Sequence, residues 1–195
     1  MNIATQAANV TMCRGSAVDA AELAAFAART FKESFSADNN PENLQIHLAT
    51  NYGPEQQAAE LADPLVTTIL ARLSGELVAY AQIRQNPPPP CVTHAYPIEL
   101  HRFYVDHRAH GTGLAASLML EVHQAVREFG GRHVWLGVWE RNPRAIAFYK
   151  KAQFVDVGSQ FYMVGPDRQV DRVLVARVNP ASTSTLQGFS TLATS

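Results

Sequence analysis

The 195-residue chain is poor in several things that usually announce a function. It has two cysteines, Cys13 and Cys91, far apart and in no metal-ligand or redox spacing, so the plain expectation is a pair of reduced thiols. Charge of neither sign prevails: 16 Lys and Arg stand against 17 Asp and Glu, for a formal net charge of -1. Without a global basic field, neither nucleic acid nor an anionic membrane is an expected partner, and any anionic ligand has to be captured locally. Long apolar runs are also missing. The best of them, Leu65 to Leu73, is broken by polar residues and too short to span a bilayer. The first ten residues show no basic stretch leading into an apolar core, so no signal peptide is expected and a cytoplasmic protein is. Two ends lack the patterning of the rest: residues 1–9 read as a flexible N-terminus and the Ser/Thr-rich residues 179–195 as a disordered tail.

What is present is a hydrophobic fraction of 47% with 17% charged residues, enough for one globular domain over residues 10–178. Ser16 followed by Asp19 predicts a capped helix start, and Leu23, Phe26, Ala27, Thr30 and Phe31 recur at helical spacing to about Phe35. Two shorter helices are expected after Asn40-Pro41 and at Pro54–Leu61. The period then changes: Leu65–Leu73 and Glu76–Arg84 flank Ser74-Gly75 as a hairpin. Four consecutive prolines, Pro87 to Pro90, supply no amide donors and mark a stiff loop before a strand at Pro97–Val105. Leu114, Leu118, Val122 and Val126 form one face of a long helix that Gly130-Gly131 closes. A strand at His133–Trp139, a short helix at Asn142–Lys151 and two final strands, Phe154–Val164 and Val170–Val178, complete a mixed α/β sheet.

The chemistry concentrates between the strand ending at Val105 and the helix beginning near Leu114. There the chain reads His107, Arg108, Ala109, His110, Gly111, Thr112, Gly113. Two glycines one residue apart allow a tight turn and close backbone approach, and the helix that follows presents free amides and the positive end of its dipole. That combination suits a pyrophosphate, with Arg108 placed to add charge at the rim. A plain glycine turn is the alternative on these residues alone. A Walker A loop is excluded because Leu114 follows Gly113 where Lys would be needed, and a dinucleotide fingerprint lacks its acid at the right distance. His107 and His110 have no third metal ligand nearby, so no metal is expected.

Arg108-x-x-Gly111-x-Gly113, behind the strand Glu99–Val105, resembles the Gln/Arg-x-x-Gly-x-Gly/Ala motif of the GNAT N-acetyltransferase superfamily. A second segment, Asn142 through Ala145 to Phe148-Tyr149 and Phe154, is similar to that family's Asn-x-x-Ala-x-x-Phe-Tyr stretch, with Gln153 where glycine is usual. Within the superfamily the chain looks closest to the PaiA-type polyamine acetyltransferases, through Phe31–Phe35, Asn40–Leu44, Glu60–Pro64 and Trp135–Glu140.

The resemblance implies a single-domain acyl-CoA N-acyltransferase fold, with mostly antiparallel strands, two splayed central strands and flanking helices. It implies acetyl-CoA as cosubstrate and a primary amine, most narrowly a polyamine, as acceptor. Backbone near Phe103, Tyr104 and Val105 would pair with the pantetheine arm, and Arg108, Ala109, His110, Gly111, Thr112, Gly113 and the Leu114 amide would wrap the pyrophosphate. Asn142 would bond the arm, and Lys151 would lie beside the phosphates unless Lys150 and Lys151 are simply solvated. Tyr149 would protonate the leaving thiolate, a role its phenol can fill. Glu99 is the expected base, with His101 or a water relay as the alternatives, and Glu99 and His101 are the expected acceptor-binding pair. Strict alternation would put both on one strand face with Phe103 and Val105. Phe148 is expected in the core, and Trp135 and Trp139 in the core or a pocket wall. The resemblance also allows two copies to pair through the final strands. Other amines as acceptors, or a coenzyme A-binding sensor without turnover, are the alternatives.

Overall fold

The computed structural model describes residues 10–178, so the expectations for residues 1–9 and 179–195 lie outside the described residues. Strand β1 (Val10–Arg14) leads into a short 3-10 turn. There the Asp19 carboxylate accepts from the Ser16 amide at 2.9 Å and its hydroxyl at 3.1 Å, the capping predicted from sequence. Helix α1 (Ala20–Phe35) buries Leu23, Phe26, Ala27, Thr30 and Phe31. Asn40 caps α2 (Pro41–Asn51), its side-chain oxygen accepting from the Glu42 amide at 2.8 Å, and α3 (Pro54–Ala62) also starts on proline. Strands β2 (Val66–Leu73) and β3 (Glu76–Arg84) form the hairpin, with Ser74 and Gly75 both at positive φ as its tight turn requires.

Then come β4 (Pro97–Val105), α4 (Leu114–Glu128), β5 (His133–Trp139), α5 (Pro143–Lys151), β6 (Val155–Val164) and β7 (Asp167–Arg177). The seven strands stand in the order β1-β2-β3-β4-β5-β7-β6, antiparallel except for β4 beside β5. The sheet separates two apolar cores. On one side Leu118, Val122 and Val126 of α4 pack on Ile83 and Leu136. On the other, Leu23, Phe26 and Phe31 of α1 pack on Leu70 and Tyr80. No helix among the described residues is long and apolar enough to cross a membrane.

Two irregularities position the site. First, β4 and β5 pair only at Pro97–His133, Ile98–Val134 and Glu99–Trp135, and beyond that they part. Each keeps its outer partner: β4 stays on β3 as far as Val105, and β5 on β7 as far as Trp139. The two facing edges are therefore left open in a V. Second, Gln82 pairs with Arg102 but Ile83 with Leu100, so His101 is the extra residue of a β-bulge. This corrects the alternation expected from sequence. Ile98 and Leu100 share a core with Phe103 and Val105, while Tyr104 faces the opposite one. A one-residue insertion flips every side chain on one side of it relative to the other.

Candidate active site

A cavity of about 370 Å³ occupies the V. Its walls include the β4 stretch from Leu100 to Val105, the β5 residues Gly137 to Trp139, and the start of α5. Phe31, Phe35 and Tyr52 close it from the α1 and α2 side. A second cavity of about 280 Å³ lies under the proline loop, between Arg84, Asn86, Glu99 and Gln160. His101, Gly137, Tyr162 and Asp171 line both, so the two spaces are neighbours there.

The glycine loop sits at the mouth of the V. Gly111 and Gly113 have φ of +78° and +88°, values that side chains with a Cβ rarely adopt, and nothing lies within 4 Å of where a Cβ would stand. The glycines thus serve the backbone's turn and leave its surface clear. Gly113 is the N-cap of α4, a 15-residue helix whose first turn reaches the cavity at Ala115. Thr112 works within the loop: its hydroxyl donates to the Ala109 carbonyl at 2.8 Å and accepts weakly from the Leu114 amide at 3.4 Å. Ala109, His110, Gly111 and Gly113 reach the cavity wall, whereas Thr112 and the buried Leu114 do not. His110 bridges the mouth. Arg144 of α5 bonds its Nδ1 at 3.1 Å, so Nε2 carries the proton and donates to the Val105 carbonyl at 3.0 Å.

Arg108 differs from expectation. Its guanidinium grips the Asp106 carboxylate and reaches Glu76 at 2.7 Å, and it does not line the cavity. Asp106, which sequence reasoning passed over, is fully buried and also holds Arg29 of α1 at 2.8 Å. Hydrogen bonds from Arg108 overcome burial and hold its carboxyl well below the usual range. Lys151 ends α5 on the exposed surface, away from the cavity wall.

At the far end of the V, Asn142 caps α5, its Oδ1 accepting from the Ala145 amide at 3.0 Å, which leaves its Nδ2 donors free for the cavity. Phe148 is half-buried rather than core, stacked on Phe103 with ring centroids 5.5 Å apart. Its neighbour Tyr149 is the buried one, edge-on to Phe154 at 5.4 Å. Burial pushes the Tyr149 phenol up, so it stays protonated, and its hydroxyl makes no hydrogen bond among the described residues. Trp135 is buried in a small core with Val173 and Val175, while Trp139 walls the cavity.

Glu99 lines the second cavity, not the V. Arg84 donates to it from Nε at 2.6 Å and Nη2 at 3.2 Å, Asn86 at 2.9 Å, and His101 Nδ1 lies 3.4 Å away. Burial would raise its pKa, but bonds with His101 and Arg84 outweigh that and hold it down to about 2. A carboxylate so engaged is a poor proton acceptor. His101 itself is pulled below the usual histidine range by burial and by the charges of Arg102 and Arg84, against the opposing pull of Glu99.

Asp171 was missed altogether. It sits on β7 opposite Trp139 and Gln160, 7% exposed, its side chain with no hydrogen bond or ion pair among the described residues. Burial, and then the charge of Glu140, pushes its carboxyl up to about 6. The only sequence signal was an acid in the middle of a strand pattern, where Asp is disfavoured. A buried ion pair of Arg102 with Glu60, joined by Gln82, was likewise invisible in sequence; it ties α3 to β4 beneath the V.

Against known proteins, a sequence model of the Acetyltransferase (GNAT) family matches residues 25–154. An uncharacterized N-acetyltransferase of Mycobacterium tuberculosis is 34% identical over 157 residues, covering 80% of this chain and 96% of that protein. Among solved structures, PaiA N-acetyltransferase from Thermoplasma acidophilum in complex with coenzyme A superposes with a TM-score of 0.68 at 17% identity, covering 87% of this chain and 99% of that one. An acetyltransferase of the GNAT family from Streptococcus pneumoniae does so at 0.63 and 22% identity, covering 88% and 100%.

Proposed function

The chain belongs to the acetyltransferase (GNAT) family, and from that premise we propose that it moves the acetyl group of acetyl-coenzyme A onto the primary amine of a small molecule. The observation that carries this reading is the open V between β4 and β5, with the Gly111–Gly113 loop and the α4 N-terminus at its mouth. Unpaired strand edges offer amide and carbonyl groups to the amides of a pantetheine arm, as an added strand would. Free helix amides beside two glycines suit its pyrophosphate. The likeness to a PaiA structure holding coenzyme A supports the same occupant. Phe103, Tyr104, Val105, the Ala109–Gly113 backbone and Asn142 are the residues we assign to it.

In this reading Tyr149 is the general acid. Its phenol is held protonated by burial, lines the cavity and has no competing partner, so it can give its proton to sulfur as the C–S bond breaks. Glu99 acts through His101, which it orients where the two cavities are neighbours. A polyamine is the narrower acceptor proposal, supported by two neighbouring cavities that share the acid Asp171 in their walls. A cytoplasmic setting suits the two free cysteines. Pairing of two copies along the edge strand β6, where Phe161 and Met163 are exposed, belongs to the same proposal and is tested by sedimentation.

The deciding experiment is release of free thiol from acetyl-coenzyme A with spermidine, spermine, amino acids and aminoglycosides, with products weighed by mass spectrometry. Acetylated spermidine is the expected product. Release with another amine alone would remove the polyamine reading, and coenzyme A binding without turnover across the panel would favour a sensor.

A further inference from the structure

We propose that Asp171 receives the ammonium group of the acceptor and takes its proton, the remainder of the acceptor lying in the cavity beneath the proline loop. The chemistry of this inference rests on the transferase reading above; the binding geometry stands apart from it.

Asp171 is a buried carboxylate without a protein partner, and burial without pairing is costly unless something else compensates. It lines both cavities, and Tyr149 lines the larger of the two with it. Gly137 on the adjacent strand makes room for the carboxylate: a Cβ there would collide with it, standing 2.9 Å from Asp171 Oδ2 and 2.6 Å from Gln160 Nε2. Trp139 and Tyr162 supply aromatic walls, which attract an alkylammonium.

The groups that face this space favour a cation at Asp171 over one at His101. Around Asp171 stand Glu140 beyond β5 and the neutral Tyr162 and Gln160 of β6, while Tyr149 of α5 lines the same cavity. His101 of β4, held neutral by burial and by Arg102 and Arg84, both paired to acids, offers an ammonium no negative charge. A carboxyl raised toward neutrality is also a better proton acceptor than Glu99.

The step balances as follows. Asp171 takes one proton from the ammonium, and the freed nitrogen lone pair forms the C–N bond at the thioester carbonyl. The C–S bond breaks as Tyr149 gives its proton to sulfur, and the phenolate recovers the second nitrogen proton as the amide forms. Asp171 then releases its proton to solvent.

The test compares wild type, Asp171→Asn, Asp171→Glu and Gly137→Ala with spermidine and 1,3-diaminopropane. In wild type, kcat/KM should fall on the acid side through a group near pH 6, and Asp171→Asn should lose that limb with roughly 10²–10⁴-fold in kcat/KM. Asp171→Glu should recover part of it, and His101→Gln should keep the limb. Gly137→Ala, whose Cβ would push the Asp171 and Gln160 side chains aside, should raise KM for the amine with little change in KM for acetyl-coenzyme A; thermal melts confirm that each variant is folded. A rise in KM alone with the limb retained in Asp171→Asn, or no change, overturns the proposal. Should wild type turn over no amine, the transferase reading fails, and calorimetric titration of the two amines still decides the site. Binding abolished by Asp171→Asn supports it; binding kept in the variant, or absent from wild type, overturns it.

Discussion

The Arg108 guanidinium closes a two-point contact on the Asp106 carboxylate, Nε to Oδ1 at 3.0 Å and Nη2 to Oδ2 at 2.9 Å. Through it the residue that the motif places beside a phosphate instead anchors the end of β4 to the loop, with Arg29 completing the clamp from α1. Planar bidentate geometry of this kind is the strong form of a charge-assisted bond.

Asp106→Asn should therefore lower stability by roughly 2–4 kcal/mol, since it leaves two arginines facing a neutral amide in a buried position. Because the Asp106 carboxyl is held below its ordinary value, this stability is present above pH 4 and is lost as pH falls through the folded pKa. Urea unfolding at several pH values measures both. Arg108→Ala should cut stability while barely moving KM for acetyl-coenzyme A. A large rise in that KM would show that the guanidinium turns to the phosphates on binding.

Asp171 works in the opposite sense. Its folded pKa is raised from 3.8 to about 6, so ionising it opposes folding. The opposition is absent below about pH 4, grows between the two values, and amounts to on the order of 3 kcal/mol above them. Asp171→Asn should accordingly melt higher than wild type at pH 7, with the gain vanishing by pH 4. Calorimetric melts across that range would expose an error if the variant proved less stable at neutral pH.

Tyr149→Phe removes one oxygen from a buried ring held by Phe103, Phe148 and Phe154, so packing should survive. The expected outcome is a 10²–10⁴-fold fall in kcat with KM for both substrates nearly unchanged. Steady-state kinetics with a good acceptor reads it, and an unchanged kcat would remove the phenol from the chemistry.

Gly113→Ala meets no neighbour, so its effect is conformational: forcing a Cβ to φ near +88° costs about 1 kcal/mol. The loop and the first turn of α4 should shift to relieve it. Calorimetry should show weaker coenzyme A binding than the small loss in melting temperature would suggest.

Much of this molecule was legible in its local patterns. Pro97–Val105 and His133–Trp139 were readable as strands to the residue, and the four-position face Leu114, Leu118, Val122 and Val126 is buried as its period requires. Such signals arise between residues a few positions apart, where backbone geometry alone sets which side chains are neighbours. The glycine loop belongs to the same class, because a positive φ is a property of the residue that adopts it.

What the linear pattern could not carry depends on partners far along the chain. The bulge at His101 exists only because β3 pairs with β4 one residue out of step, and that shift broke the alternation that had grouped Glu99 and His101 with Phe103. Arg108 turns from the loop because Glu76, 32 positions earlier, and Asp106 stand beside it. Asp171 acquires its buried, unpaired carboxylate from the parting of β4 and β5 and from the bare surface of Gly137. Sequence determined the elements, the loop and the family; burial and pairing across distant strands decided which charges serve the scaffold and left the Asp171 carboxylate facing the cavity.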